Sequence, residues 1–144
     1  MNEVRHIKGD VFTDERGVLQ YVNDFDFTGV KRFYQIIHPD ASVVRAWQGH
    51  QVEHKWFFVG QGSFLIAWVK IDDWDTPSKT LKAEYSVLSA QSPQVISIPP
   101  GYANGIKALE PGSVLTVFSN LTVDQSSNDR WSFDPSLWMD WSQF

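Results

Sequence analysis

The sequence predicts an all-β protein, a jelly-roll β-barrel (double-stranded β-helix) with a short C-terminal helix. Short runs rich in β-branched and aromatic residues recur along the chain, and turn-forming clusters separate them at regular intervals. Only one segment, near the end, carries helix signals. Many short strands with regular turns are the pattern of a sandwich or jelly roll.

The strand-like runs are residues 32–37, 43–47, 54–59, 63–71, 83–88, 95–98 and 114–118. The clusters between them include His38-Pro39-Asp40, Gly60-Gln61-Gly62, Ser92-Pro93, Pro99-Pro100-Gly101 and Glu110-Pro111-Gly112. Glycine, proline and Asx residues favour turns through their backbone preferences. In the run from Lys55 to Val59, strand alternation puts Lys55, Phe57 and Val59 on one face and Trp56 and Phe58 on the other. Both faces are apolar, so the outer one needs a cover, either a terminal segment or a second subunit, and a dimer is expected there. Near the end, Asp134-Pro135-Ser136-Leu137 offers a capping carboxylate followed by proline at the first helical position, which predicts a helix of a turn or two.

The 144 residues form one domain, 1–144, with no internal repeat and no linker. A net charge of −5 without a Lys/Arg cluster argues against a nucleic-acid partner. There is no cysteine, hence no disulfide and no thiol chemistry. The start, MNEVRHIKGD, lacks the apolar core of a targeting peptide, and no stretch is long and apolar enough to span a bilayer. A cytoplasmic protein without a membrane partner is expected. The seven tryptophans are core residues or stacking platforms.

Gln48 to Gly62, QGHQVEHKWFFVGQG, has the spacing H-x-H-x4-E-x3-V-x2-G of the first cupin motif. Gln48 stands at the first histidine, His50 at the second and Lys55 at the glutamate. Ile98-Pro99-Pro100-Gly101-Tyr102-Ala103-Asn104 follows the second motif, I-P-x-G-x-x-H, up to its last position, where Asn104 replaces histidine. A divalent cation wants imidazole, carboxylate or thiolate. Carboxamides are weak ligands and an ammonium repels the ion, so neither a metal nor another cofactor is expected.

The whole chain resembles the metal-independent cupins that act on sugar nucleotides, the dTDP-4-dehydrorhamnose 3,5-epimerase family and the related dTDP-4-keto sugar 3,4-ketoisomerases. Phe12-Thr13-Asp14-Glu15-Arg16-Gly17 is similar to F-x-D-x-R-G, Arg45 heads the counterpart of R-G-x-H, and Lys55 to Gly62 fits K-L-V-x-V-x-x-G. Leu88-Ser89-Ala90 with Ile98 to Ala103 resembles L-S-A followed by I-P-x-G-F-A. Trp131 to Trp141 resembles the tail W-x-D-P-x-L-x-I-x-W, with one extra residue.

The resemblance implies an epimerase or ketoisomerase of a dTDP-linked 4-keto-6-deoxy sugar, serving cell-surface polysaccharide synthesis. It also implies a homodimer in which Arg16 reaches a neighbouring subunit's site. Arg16 and Arg45 would grip the nucleotide phosphates. The family's base is a histidine where Gln48 stands, and its opposing tyrosine aligns with Thr116. These positions, with Asn104, are neutral here and are assigned to substrate binding, as is Tyr102, which stacks on a sugar or packs in the core. His50 falls on the second histidine of the ketoisomerase pattern R-x-x-H-x-H. It is either the base or an interior hydrogen-bonded histidine. Lys55 would hold the enolate oxygen or pair with an anion. Strand register places Gln48, His50, Lys55, Asn104 and Thr116 inside the barrel. A binder without turnover is the competing reading, and a metal-dependent oxygenase ranks last.

Overall fold

The computed structural model describes residues 2–144. Twelve strands occur in the order β1 (Arg5–Lys8), β2 (Asp10–Asp14), β3 (Gly17–Tyr21), β4 (Arg32–Ile36), β5 (Val44–His50), β6 (Lys55–Gln61), β7 (Ser63–Lys70), β8 (Glu84–Ser89), β9 (Gln94–Ile98), β10 (Tyr102–Ala108), β11 (Val114–Ser119) and β12 (Trp131–Ser132), with one short helix, α1 (Val123–Ser127), after β11. They build two five-stranded antiparallel sheets, β1-β9-β6-β11-β4 and β12-β5-β10-β7-β8, and a separate β2–β3 hairpin. The all-β jelly-roll expectation holds. Among the described residues no helix is long and apolar enough to cross a membrane.

Strand alternation explains how the sheets face each other. From the first sheet Phe57, Val59, Ile96, Leu115 and Val117 point inward, and from the second Phe64, Ile66, Trp68 and Ile106 meet them. The intervening residues of β7, Leu65, Ala67 and Val69, point outward yet are buried. A strand apolar on both faces needs a layer on each side. The second layer here is the C-terminal tail. Its Phe133, Leu137, Trp138 and Trp141 pack on Trp47, Leu65 and Ala67, and Trp47 exchanges two 3.1 Å backbone hydrogen bonds with Phe133.

Two glycines are needed where they stand. Gly62 turns the chain between β6 and β7 at φ 73°, and a Cβ there would lie 2.1 Å from Ser113 Oγ. Gly105 faces the tail, and a Cβ on it would lie 2.6 Å from the Trp141 ring.

The expected helix at Asp134 does not form. Asp134 Oδ1 instead accepts from the backbone N–H and the hydroxyl of Ser136, at 2.8 and 2.7 Å, in a local turn. The carbonyls of Leu137 and Trp138, which a helix would direct to N–H groups four residues on, instead accept from Trp47 Nε1 at 3.0 Å and from the Ala83 N–H at 3.2 Å. The α-helix lies earlier, at α1. Thr122 caps it with a reciprocal capping box to Gln125. The tail ends in a 3₁₀ turn, Trp141–Gln143, capped by Asp140.

The Trp56 and Phe58 face is covered in part by the chain itself. Phe25 meets Trp56 edge-on at 6.1 Å and Phe118 at 5.3 Å, and His54 stacks on Trp56 at 4.2 Å. Both outward rings are half-buried. This face does not by itself demand a second subunit.

Removing Trp141 should empty the space over Gly105. Trp141→Ala is expected to cost about 3–5 kcal/mol in a urea unfolding curve, as large-to-small core changes do. A second prediction concerns acid. His54, whose Nε2 lies 2.7 Å from Ser97 Oγ, is pushed down to about 4 by burial and by the Arg5 charge. The unfolded chain takes up that proton near pH 6.5, so stability is full above this value and falls as pH drops towards 4. Melting temperatures measured from pH 7 to 4 should decline, and His54→Gln should make the decline shallower.

Candidate functional site

The inner faces of the two sheets diverge at one end and leave a cavity of about 320 Å³, lined by Arg32, Tyr34, Arg45, Gln48, His50, Lys55 and, from α1 and the loop after it, Val123, Ser126, Ser127 and Arg130. A smaller space of about 50 Å³ lies further in, between Tyr34, Gln48, Lys55, Asn104, Phe57, Ile106 and Val117. The size suits a small-molecule ligand. Arg32, Arg45, Lys55 and Arg130 all border the larger space. Of the carboxylates nearby, Glu53 is already paired with Arg32 at 3.1 Å and Asp129 is taken up by three backbone N–H groups. The cavity therefore favours an anion.

Register explains the lining. On the first sheet Arg32 pairs with Ser119 and Ser119 with Lys55, which makes one inward row, and Tyr34, Val117 and Phe57 make the next. On the second sheet His50 lies beside Tyr102, and Gln48 beside Asn104. Beyond them, Gly105 faces both Ala46 and Trp47 in a bulge before Ile106 meets Arg45. The extra residue turns Arg45 to the same side as Gln48, although simple alternation would separate them.

His50 is 5% exposed. Its Nδ1 lies 2.7 Å from the backbone carbonyl of Asp129 and 3.3 Å from Glu53 Oε1. Both are acceptors, so Nδ1 carries the hydrogen and Nε2 keeps its lone pair. That Nε2 is buried without a partner, and His50 lines the cavity. Burial, then the Lys55 charge, hold its pKa below the ordinary histidine value, although the Asp129 carbonyl and Glu53 pull the other way. The imidazole is neutral at pH 7 and able to accept a proton. The turn after it is fixed by the Asp129 carboxylate, which accepts the backbone N–H groups of Gln51, Val52 and Glu53 at 2.7–2.8 Å.

Gln48, His50, Lys55, Arg45 and Asn104 come together around this space as the motifs led us to expect. Thr116 does not. It pairs with Phe58 on one side and Gln35 on the other, on the outer face of the first sheet, and accepts a 3.3 Å hydrogen bond from Gln35. Leu115, Val117 and Ser119 are buried and point inward, so Thr116 between them points outward. Tyr102 packs against the core, and its hydroxyl reaches only the carbonyl of Asn2 at 3.4 Å. Arg16 sits on the β2–β3 hairpin, 80% exposed and paired with Asp14 at 2.6 Å. It does not line this chain's cavity.

Sequence reasoning missed Tyr34, Arg32, Glu53, Ser126 and Arg130. Tyr34 stands on the wall that Thr116 was expected to occupy, with Arg32 5.0 Å and Lys55 6.0 Å from its ring centre. The alternation Arg32, Tyr34, Ile36 carried the signal for Tyr34. Glu53 and Arg130 lie outside any strand, and only tertiary contacts reveal them.

Two carboxamides and an ammonium, at Gln48, Asn104 and Lys55, occupy positions where the metal cupins carry ligands. Among the described residues no three His, Cys, Asp or Glu side chains gather as a metal set. The donors present do not fit a divalent ion.

Lys55 depresses the His50 pKa, so Lys55→Met should raise it. An NMR titration of the His50 ring is expected to show a midpoint below 6.5 in the wild type and a higher one in the variant.

No protein-family model matches the sequence, and no curated protein matches it either. Solved structures do. A dTDP-4-dehydrorhamnose 3,5-epimerase from Sulfolobus tokodaii is 26% identical, with a TM-score of 0.75 over 96% of this chain and 80% of its own. The corresponding epimerase from Bacillus anthracis, with TDP and pyrophosphate bound, is 16% identical, with a TM-score of 0.75 over 96% and 85%. A sugar 3,4-ketoisomerase from Thermoanaerobacterium thermosaccharolyticum in complex with TDP is 24% identical, with a TM-score of 0.65 over 85% and 84%. The chain thus has the fold of the cupin family that contains the dTDP-4-dehydrorhamnose 3,5-epimerases and the sugar 3,4-ketoisomerases.

Proposed function

We propose that the chain binds a dTDP-linked 4-keto-6-deoxy sugar between its sheets and isomerises it by moving a proton next to the ketone. The observation that carries this reading is the unpartnered, buried Nε2 of His50, fixed as the lone-pair nitrogen and set on a cavity bordered by four cations. Structural relatives with the same fold hold TDP, and the guanidinium groups of Arg45, Arg32 and Arg130 suit its phosphates.

In this mechanism His50 Nε2 removes a proton from the carbon beside the ketone and an enolate forms. Lys55 stabilises its oxygen as charge develops. Tyr34, on the same wall as Lys55, offers a phenol that can return a proton from the side opposite His50. Gln48 and Asn104, adjacent on neighbouring strands, hold hydroxyl or keto groups of the sugar without taking part in proton transfer. Return to the same carbon from the far side is an epimerisation; return to the former keto carbon, with the hydroxyl proton of the first carbon passing to the former keto oxygen, is a ketoisomerisation.

The assembly is part of the proposal. Phe12, Val18 and Leu19 of the β2–β3 hairpin are more than half exposed. Such a projecting apolar hairpin fits a homodimer in which Arg16 completes the partner's cavity. A cytoplasmic role in cell-surface polysaccharide synthesis follows from the same reading. One observation favours a binder without turnover: the two motif positions 48 and 104 carry carboxamides on the cavity wall.

The deciding experiment is solvent exchange from dTDP-4-keto-6-deoxyglucose in deuterated water. Deuterium should enter beside the ketone in the wild type, and His50→Asn should abolish it while leaving dTDP binding nearly intact. Lys55→Met should slow exchange by about 10²–10³, as loss of one oxyanion donor does. Arg45→Ala should weaken dTDP binding about tenfold or more, the scale of a charged hydrogen bond. Wild-type binding without exchange would establish the silent binder.

A further inference from the structure

Glu53 has no place in the motifs and does not line the cavity, yet its carboxylate is fully buried beside the proposed base. Buried carboxylates need partners, and the partners here hold it still. Oε2 accepts from Arg32 Nη2 at 3.1 Å and from the hydroxyl of Ser119 at 2.5 Å. Oε1 accepts from the hydroxyl of Ser126 at 2.8 Å and faces His50 Nδ1 at 3.3 Å. Burial alone would raise the Glu53 pKa, but Lys55, the two serine hydroxyls and His50 outweigh it and hold it below the usual value. The group is an anion at neutral pH.

We infer that Glu53 is a positioning residue and counter-ion for His50: its fixed Oε1, with the Asp129 carbonyl, keeps the hydrogen on Nδ1 and stabilises the imidazolium formed when Nε2 takes a proton. This rests on the functional reading above for its catalytic meaning, though not for its statement about the ring. The charges around His50 come from several elements. Lys55 on β6 disfavours the imidazolium, whereas Glu53 in the β5–β6 turn and Asp129 after α1 favour it. Arg32 on β4 partly offsets Glu53. An acceptor that could move would leave the tautomer free. A carboxylate tied by three other donors cannot turn away, and it faces the same Nδ1 that is hydrogen-bonded to the Asp129 carbonyl.

The Glu53–His50 link is tested by nitrogen-15 NMR of histidine-labelled protein, with the His50 signal assigned by its loss in His50→Asn. Wild-type His50 should show a protonated Nδ1 and a lone pair on Nε2. Glu53→Gln should lower its titration midpoint by about one pH unit or more, the effect of deleting a nearby opposite charge. The new amide can also donate to Nδ1 and turn the ring to the other tautomer, so solvent exchange should slow together with this change. Ser126→Ala frees Oε1 from its competing donor and should move the midpoint up. This variant keeps the test decisive if Glu53→Gln does not fold. Midpoints that stay put in both variants, or a wild-type ring protonated on Nε2, would overturn the inference. Movement of the midpoints in an enzyme that exchanges nothing would overturn the function instead and leave the counter-ion standing.

Discussion

A carboxylate with no exposed surface costs several kcal/mol unless charges and donors compensate it. Glu53 is in that position, and its compensation draws in much of one end of the molecule. Arg32 reaches it from β4, Ser119 from β11 and Ser126 from α1, and its own backbone N–H is held by Asp129. Asp129 also presents the carbonyl that receives His50 Nδ1. One buried charge thus couples the first sheet, the loop after β5, the helix over the cavity and the ring on the second sheet. The short α1, which buries no residue of its own, is held in place by this network and by its capping box rather than by a hydrophobic face.

The other end of the dependence is the tail. The inner wall that carries Gln48, His50 and Asn104 belongs to a sheet whose outer face is also apolar. Without Trp138 and Trp141 that face would be wet, and β5 would lose its partner β12 and the paired bonds to Phe133. Trp47 and Gln48 are neighbours in sequence. The residue that locks β5 to the tail lies next to one that lines the site. Packing on the outside thereby sets the position of polar groups on the inside, which is how a rigid wall holds side chains to a fixed geometry.

The fold was legible because its signals are local. Alternation, turn residues and the glycines at 62 and 101 are short-range features, and the two motifs fix their mutual order. Much of the candidate site was legible for the same reason: Gln48, His50, Lys55 and Asn104 sit at motif positions whose facing is set by strand parity. Thr116 was misplaced because Val114 to Phe118 is largely apolar on both faces, and only pairing with β4 and β6, which buries Leu115 and Val117, decides which face turns inward. The helix at Asp134 failed because a capping carboxylate serves a single Asx turn as well as a helix, and the Leu137 and Trp138 carbonyls bond across to Trp47 and Ala83 rather than along a helix. Glu53 and Arg130 were invisible because nothing local distinguishes a charged loop residue that will be buried from one that will be solvated.

The substitutions that set this chain apart from its structural relatives are consistent with one another. With a carboxamide at position 48, the proposed base is a histidine two residues on, which alternation also turns inward. That histidine arrives with its own acceptors, the Asp129 carbonyl and Glu53, and an opposing phenol, Tyr34, stands on the far wall where the outward-facing Thr116 cannot serve. A nitrogen left without a partner, on a ring held by two acceptors, has its desolvation compensated when a ligand atom meets it. A lone pair so placed can meet a ligand's donor or take a substrate's proton, which is the chemistry that the proposed function asks of it.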